Sequence, residues 1–223
     1  MSTDAPSPAS AQRARGATSR STLVRLAGHA LALLPGLLLA YDIATGGLSY
    51  DPVRDLTQST GRGAFTLLTL SLAVTPVVTL TGLSLLAPLS RIFGLYAFGY
   101  ATLHLFVFVG LDFGFRPDLI VGGVLEKRFA VVGLTAFVIL AALAATSTRG
   151  QMRRLGPLWK RIHRLVYVAG GLAMLHYLWA LKTVTREHLL WMAAMGVLLG
   201  MRIPEVSALL TRVGRRPTEG SDT

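Results

Sequence analysis

Apolar residues in this chain arrive in blocks. Stretches at about residues 23–44, 63–80, 92–111, 129–146, 162–181 and 189–203 are nearly free of charge. Most run for roughly 18–22 residues, the length that crosses ~30 Å of hydrocarbon as a helix. The blocks predict an all-α polytopic membrane helix bundle of about six transmembrane helices. Pro76 falls inside the second block, removes one backbone donor and predicts a bend that neighbouring helices absorb.

Polar stretches separate the blocks. Residues 1–21 are rich in Ser, Ala, Pro and Arg with no apolar period, which predicts a disordered basic tail ahead of a membrane domain at 22–204. The block at 23–44 exceeds the ~7–15-residue apolar core of a signal peptide and lacks a convincing exit site, so it reads as the first helix. Residues 46–62 (GGLSYDPVRDLTQSTGR) predict an external loop with at most a helical turn. Residues 81–91 and 112–128 read as connections, 147–161 as a strongly basic loop around Gly156-Pro157, and 205–223 as a polar C-terminal tail.

An even number of spans puts both termini on one side. That side carries 15 of the 22 Lys and Arg, so both termini and the basic loop are expected in the cytoplasm of a protein spanning the bacterial inner membrane.

Composition sharpens this picture. Of 223 residues, 52% are hydrophobic and 15% charged, with a mean hydropathy of +0.54; a bilayer, not a large soluble core, is the solvent for these segments. The absence of cysteine removes disulfides, thiolate metal sites, iron–sulfur clusters and thiol nucleophiles. The formal charge of +11 reports orientation and contact with anionic lipid headgroups; no basic and aromatic module for nucleic acid is visible.

The candidate chemistry rests on five histidines, His29, His104, His163, His176 and His188. An ionisable side chain inside a span is costly and is a functional hypothesis by default. The third and fifth predicted helices run in the same direction, and His104 and His176 lie at depths that agree within ~3 Å. Two neutral imidazoles at equal depth can bind haem iron axially from opposite faces. Zinc would want three or four ligands, and these helices offer no others at that depth. Gly94, Gly99, Ala101, Ala169, Gly170, Gly171 and Ala173 clear room for a flat ring or for close helix packing. The same pair also fits a hydrogen bond that stabilises packing, or a proton or ion path.

His163 precedes His176 by 13 residues, a rise of ~20 Å that would suit a second haem near the cytoplasmic face. On a straight helix it stands ~140° from the stripe of His176, so a shared surface requires distortion, placed at Gly170-Gly171. Arg91 lies at the same depth as His163 and can pair with a propionate, a phosphate or an anionic lipid. His29 is a candidate second ligand there, against a snorkelling or hydrogen-bonded role. His188 reads as a solvated loop residue.

The segments LYAFGYATLH at 95–104, ATSTR at 145–149 and RLGPLWKRIHRLVYVAGGLAMLHYL at 154–178, together with DPVRDLTQSTGR at 51–62, resemble the MsrQ (YedZ) family of the ferric-reductase-like transmembrane group. The resemblance covers about residues 26–202. It implies a haem b membrane subunit that passes electrons to a periplasmic molybdenum-containing methionine sulfoxide reductase, MsrP, which repairs oxidised periplasmic proteins. It further implies FMN, and quinol or a cytosolic flavin reductase as donor. Its haem-linked histidines fall on His104, His163 and His176.

The expected activity is therefore one-electron relay with no sulfoxide-reducing site in this chain, and Arg54, Arg62, Asp51 and Asp55 are candidate docking residues or simply a structured loop. A proton-coupled membrane transporter using the same histidines is the alternative, followed by a purely structural membrane partner. A broader metal reductase would carry its own flavin and nicotinamide domain, for which the residues after 204 offer no room.

Overall fold

A computed structural model describes residues 8–181 and 184–202, with side chains from residue 19 onward. All regular structure among the described residues is helical: α1 (Pro8–Thr45), α2 (Pro52–Thr81), α3 (Ala87–Val107), α4 (Pro117–Glu126), α5 (Arg128–Ala145), α6 (Arg149–Leu155), α7 (Pro157–His163), α8 (Leu165–Ala180) and α9 (Arg186–Gly200). A short 3-10 turn, Ser84–Leu86, leads into α3, and a π-helical turn, Phe108–Asp112, ends it.

Four segments are long and apolar enough to cross a bilayer: Ser19–Thr45, Pro52–Thr81, Ser84–Asp112 and Arg128–Ala145. The expected fifth and sixth helices are shorter. α8 has 16 residues and α9 has 15, against the ~20 that a perpendicular crossing needs. The fifth block is also broken where no distortion was expected: the chain leaves α7 at His163 and restarts at Leu165, so the interruption lies at Arg164 and Gly170-Gly171 sits within a continuous α8.

Other boundaries differ from the sequence expectation for identifiable reasons. α1 begins at Pro8, inside the stretch 1–21 expected to carry no structure; proline suits the first helical position, and the Ala, Gln and Arg that follow are good helix formers. The tail at 205–223 lies outside the described residues. Most of the supposed external loop 46–62 is the first three turns of α2, because Asp51 caps the helix, its Oδ1 accepting the Arg54 N–H at 3.1 Å, with Pro52 next in line. Residues 117–126 and 149–163 also form helices in stretches expected to be loops.

The core is a ring of four helices. α2 packs on α3, α3 on α5, α5 on α8 and α8 on α2, which leaves α3 and α8 diagonal. Phe65 of α2 stacks on Tyr177 of α8 with ring centres 4.8 Å apart, and Phe98 of α3 on Phe137 of α5 at 5.6 Å. Leu67, Leu68, Ala97, Ala169 and Met195 are almost wholly buried between the helices. α1 leans on α2 and α3, and α9 on α2 and α8. At the second contact Gly170 meets Leu72 and Met195 so closely that an added Cβ would lie 3.2 Å from Leu72 Cδ1 and 3.4 Å from Met195 Sδ. Outside this core many large apolar side chains are exposed, including Leu23, Leu26, Leu37 and Leu38 on α1 and Val138 on α5. A soluble protein would avoid such continuous apolar faces, whereas lipid covers them.

Candidate haem-binding site between diagonal helices

His104 on α3 and His176 on α8 meet across the ring. Their ring centres are 6.0 Å apart and their planes stand at 80°. Neither ring is held by a side-chain acid. His104 Nδ1 lies 2.9 Å from the carbonyl oxygen of Thr57, and His176 Nδ1 lies 2.7 Å from that of Phe129. A carbonyl can only accept, so each Nδ1 carries the proton and each Nε2 keeps its lone pair. That tautomer is the one a metal-bound imidazole needs, and a carbonyl behind the ring is the usual partner that fixes its orientation and raises its basicity.

The residues present fit haem. Two imidazoles joined through Nε2 to opposite faces of one metal ion have ring centres about 6 Å apart, given metal–nitrogen bonds of ~2.0 Å. No group of three His, Cys, Asp or Glu side chains comes together among the described residues. A two-imidazole set suits a metal whose remaining ligands arrive with it, as the four nitrogens of a porphyrin do.

Each ring also rests on a glycine of the preceding helix. A Cβ added at Gly61 would lie 3.1 Å from His104 Nδ1, and one at Gly133 would lie 2.5 Å from His176 Nδ1. The sequence reading singled out neither glycine. The signal it passed over is an internal repeat with an offset of 72 positions: Gly61, Phe65, Leu68, Ala97 and His104 recur as Gly133, Phe137, Leu140, Ala169 and His176. Ala97 and Ala169 are both fully buried, and both histidine bonds span 47 residues. Hairpin α2–α3 and hairpin α5–α8 are thus two renderings of one arrangement.

His163 ends α7 and stands apart from that pair. Its Nδ1 donates to the Trp159 carbonyl at 3.2 Å and its ring stacks on the Trp159 indole at 4.0 Å, while Trp159 Nε1 donates to the Thr146 carbonyl at 3.1 Å. Its Nε2 is 3.4 Å from the Ser147 hydroxyl, which already has the Leu143 carbonyl at 2.7 Å as acceptor for its one proton. His163 therefore shares the tautomer of His104 and His176, with Nε2 open.

The remaining candidates are placed as follows. Arg91 lies on α3, exposed. His29 Nδ1 is 3.2 Å from the Tyr96 hydroxyl, a hydrogen bond between α1 and α3. His188 has the opposite tautomer from the three above: its Nδ1 accepts the Thr185 N–H at 3.1 Å, completing a capping box at the start of α9. A loop role was expected for it, and it caps a helix instead. Asp51 caps α2, Asp55 Oδ2 accepts the Ser49 N–H at 2.6 Å, and Arg62 approaches Glu187 at 3.8 Å. Arg54 lies in the first turn of α2, exposed.

Comparisons with known proteins identify the family. The model of the ferric reductase like transmembrane component matches residues 60–174, a span that contains Gly61, His104, Phe129, Gly133 and His163 and ends just before His176. Three relatives carry the name protein-methionine-sulfoxide reductase heme-binding subunit MsrQ. The protein from Ralstonia nicotianae is 43% identical over 183 residues, covering 81% of this chain and 84% of its own length. That from Xanthomonas axonopodis pv. citri is 38% identical, covering 85% and 90%, and that from Bordetella pertussis is 44% identical, covering 72% and 79%. With this identity sustained over most of both sequences, and with the paired histidines set in an all-helical membrane bundle, the chain belongs to the MsrQ family of the ferric-reductase-like transmembrane group.

Proposed function

We propose that this chain is a haem b electron-transfer subunit of the bacterial inner membrane, with His104 and His176 as the axial ligands. The observation that carries the proposal is the matched pair of Nδ1–carbonyl bonds, at 2.9 and 2.7 Å, which leaves two Nε2 atoms free on diagonal helices whose imidazole centres are 6.0 Å apart. Haem bound there supplies a reversible one-electron couple. The chain's own residues do the rest. The Thr57 and Phe129 carbonyls hold the rings, and the apolar residues of the four-helix ring keep water from the centre. No group transfer takes place on this chain.

The electrons go to a periplasmic molybdopterin methionine sulfoxide reductase of the MsrP kind, which repairs oxidised proteins, and they come from quinol or a cytosolic flavin reductase. The naming of the relatives as subunits of a protein-methionine-sulfoxide reductase supports that assignment. In this reading the membrane domain is 22–204, with α8 and α9 completing six spans and with both termini in the cytoplasm. The external face then carries Asp51, Arg54, Asp55 and Arg62 toward the partner. His163, with Nε2 open, is the ligand for a second haem nearer the cytoplasm, and Arg91 is the cation for a propionate or for the phosphate of FMN. A proton relay is disfavoured because both Nδ1 protons end on backbone carbonyls, which cannot pass a proton on.

Visible spectra of the detergent-solubilised protein, oxidised and reduced, test the proposal beside His104→Ala and His176→Ala. The expected result is a Soret band with sharp reduced α and β bands that both substitutions abolish. A protein that stays colourless when expressed with ample haem overturns it.

A further inference from the structure

We propose that Gly61 and Gly133 are paired positioning residues that set the rotation of the two axial imidazoles, each working on the histidine of its own hairpin. The inference rests on the haem reading above and concerns how the ligands are held.

The two imidazoles share two points of contact, both supplied by the neighbouring helix; in addition His104 Nδ1 lies 3.5 Å from the Thr60 hydroxyl, and the His176 ring centre lies 6.0 Å from that of Phe129. One shared point is the carbonyl that takes the Nδ1 proton, from Thr57 or Phe129. The other is the bare Cα of the glycine four residues, about one helical turn, further on. A hydrogen bond alone leaves the ring free to swing about the N–H···O line. A close contact on the Nδ1–Cε1 edge removes that freedom, and only glycine allows the backbone to come so near. The space is measurable: a methyl at Gly133 would stand 2.5 Å from Nδ1 and 2.8 Å from Cε1 of His176, and one at Gly61 would stand 3.1 Å from both atoms of His104. The first cannot be accommodated without turning or expelling the ring. The second requires a shift of a few tenths of an ångström.

Because the two hairpins repeat the same contacts at an offset of 72 positions, the angle between the imidazoles follows from the angle at which the hairpins cross. That angle is 80°. Near-perpendicular ligand planes leave the two iron d orbitals that overlap them close in energy, which produces a strongly anisotropic low-spin paramagnetic signal. The glycines therefore have a spectroscopic signature separate from their effect on packing.

The test compares Gly61→Ala and Gly133→Ala in the full-length, haem-loaded protein, read by haem content, electron paramagnetic resonance and redox titration. Two controls accompany them. Gly170→Ala crowds Leu72 and Met195 but touches neither histidine, and Gly196→Ala meets nothing within 4 Å. The expected result for Gly133→Ala is haem affinity weakened ~10-fold or more, read as reduced haem occupancy, in line with disrupted support behind a ligand. For Gly61→Ala it is retained haem with a changed largest g value and a shifted midpoint potential. Gly170→Ala should lower thermal stability with the wild-type signal intact, and Gly196→Ala should change neither. If the wild-type protein shows the two-histidine spectrum and both glycine variants match it in occupancy, g values and potential, the positioning role is overturned while the haem pair stands. If the wild-type protein binds no haem, the failure belongs to the underlying reading. Should Gly133→Ala not fold, Gly61→Ala still decides, since a role in packing alone would leave its g values unmoved.

Discussion

The Tyr100 hydroxyl accepts the N–H of Gly36 at 2.7 Å and lies 3.2 Å from the carbonyl of Ala32. Those two α1 groups are the ends of one rung of a helical ladder. The rung beside it is missing, because Pro35 has no N–H. Tyr100 thus fastens α1 to α3 at the place where α1 is weakest, four residues from His104 on the same helix.

Replacing Tyr100 by Phe should therefore loosen α1 without touching the histidine pair. Loss of a buried hydrogen bond costs ~1–2 kcal/mol, which for a chain of this length lowers the melting temperature by roughly 2–8 °C. Thermal melts of the solubilised protein measure the shift. An unchanged melting temperature, or a lost haem spectrum in a protein that still melts cooperatively, would contradict this account of Tyr100.

His163→Ala should leave the low-spin signal of His104 and His176 in place, since the break at Arg164 separates α7 from α8 and no contact joins His163 to the pair. Haem per protein, measured by pyridine haemochrome, should fall from two to one if the second site is built as proposed. Loss of all haem from a folded variant would mean that the assignment of ligands is wrong.

The approach of Arg62 to Glu187 should matter little. Their nearest atoms are 3.8 Å apart and the side chains are 46% and 56% exposed, so solvent screens the pair and the coupling expected from a double-mutant cycle is below ~1 kcal/mol. A coupling of several kcal/mol would show that α2 and α9 depend on this contact for their docking.

Much of the site was legible before any coordinates. Equal depth on two parallel spans is enough to single out His104 and His176, because a helix advances by a fixed rise per residue. The angular test for His163 failed for a physical reason: it assumed one straight helix through 162–181, whereas the chain restarts after Arg164. The start of α2 was missed because Asp51 and Pro52, read as loop-forming residues, are equally a helix cap and a first helical residue. The short helices α6 and α7 were hidden by charge, since Arg149, Arg153, Arg154, Lys160 and Arg161 look like a solvated loop whether or not the backbone is helical. The glycines behind the histidines were visible only as single letters, and their offset of 72 acquires meaning once the hairpins are seen to be equivalent.

The carbonyls that hold the two imidazoles belong to a threonine in one hairpin and a phenylalanine in the other. Every residue type carries the same acceptor, so position 57 is free to drift in side chain so long as the helix persists and the glycine one turn later stays bare; Phe129 is more constrained, because its ring also packs on the His176 imidazole with centres 6.0 Å apart. Mutational scans should find Thr57 permissive toward other helix-forming residues and intolerant mainly of proline, and Phe129 permissive chiefly toward other large apolar residues. A centre anchored in this way can remain intact in chains whose side chains around it have nothing else in common.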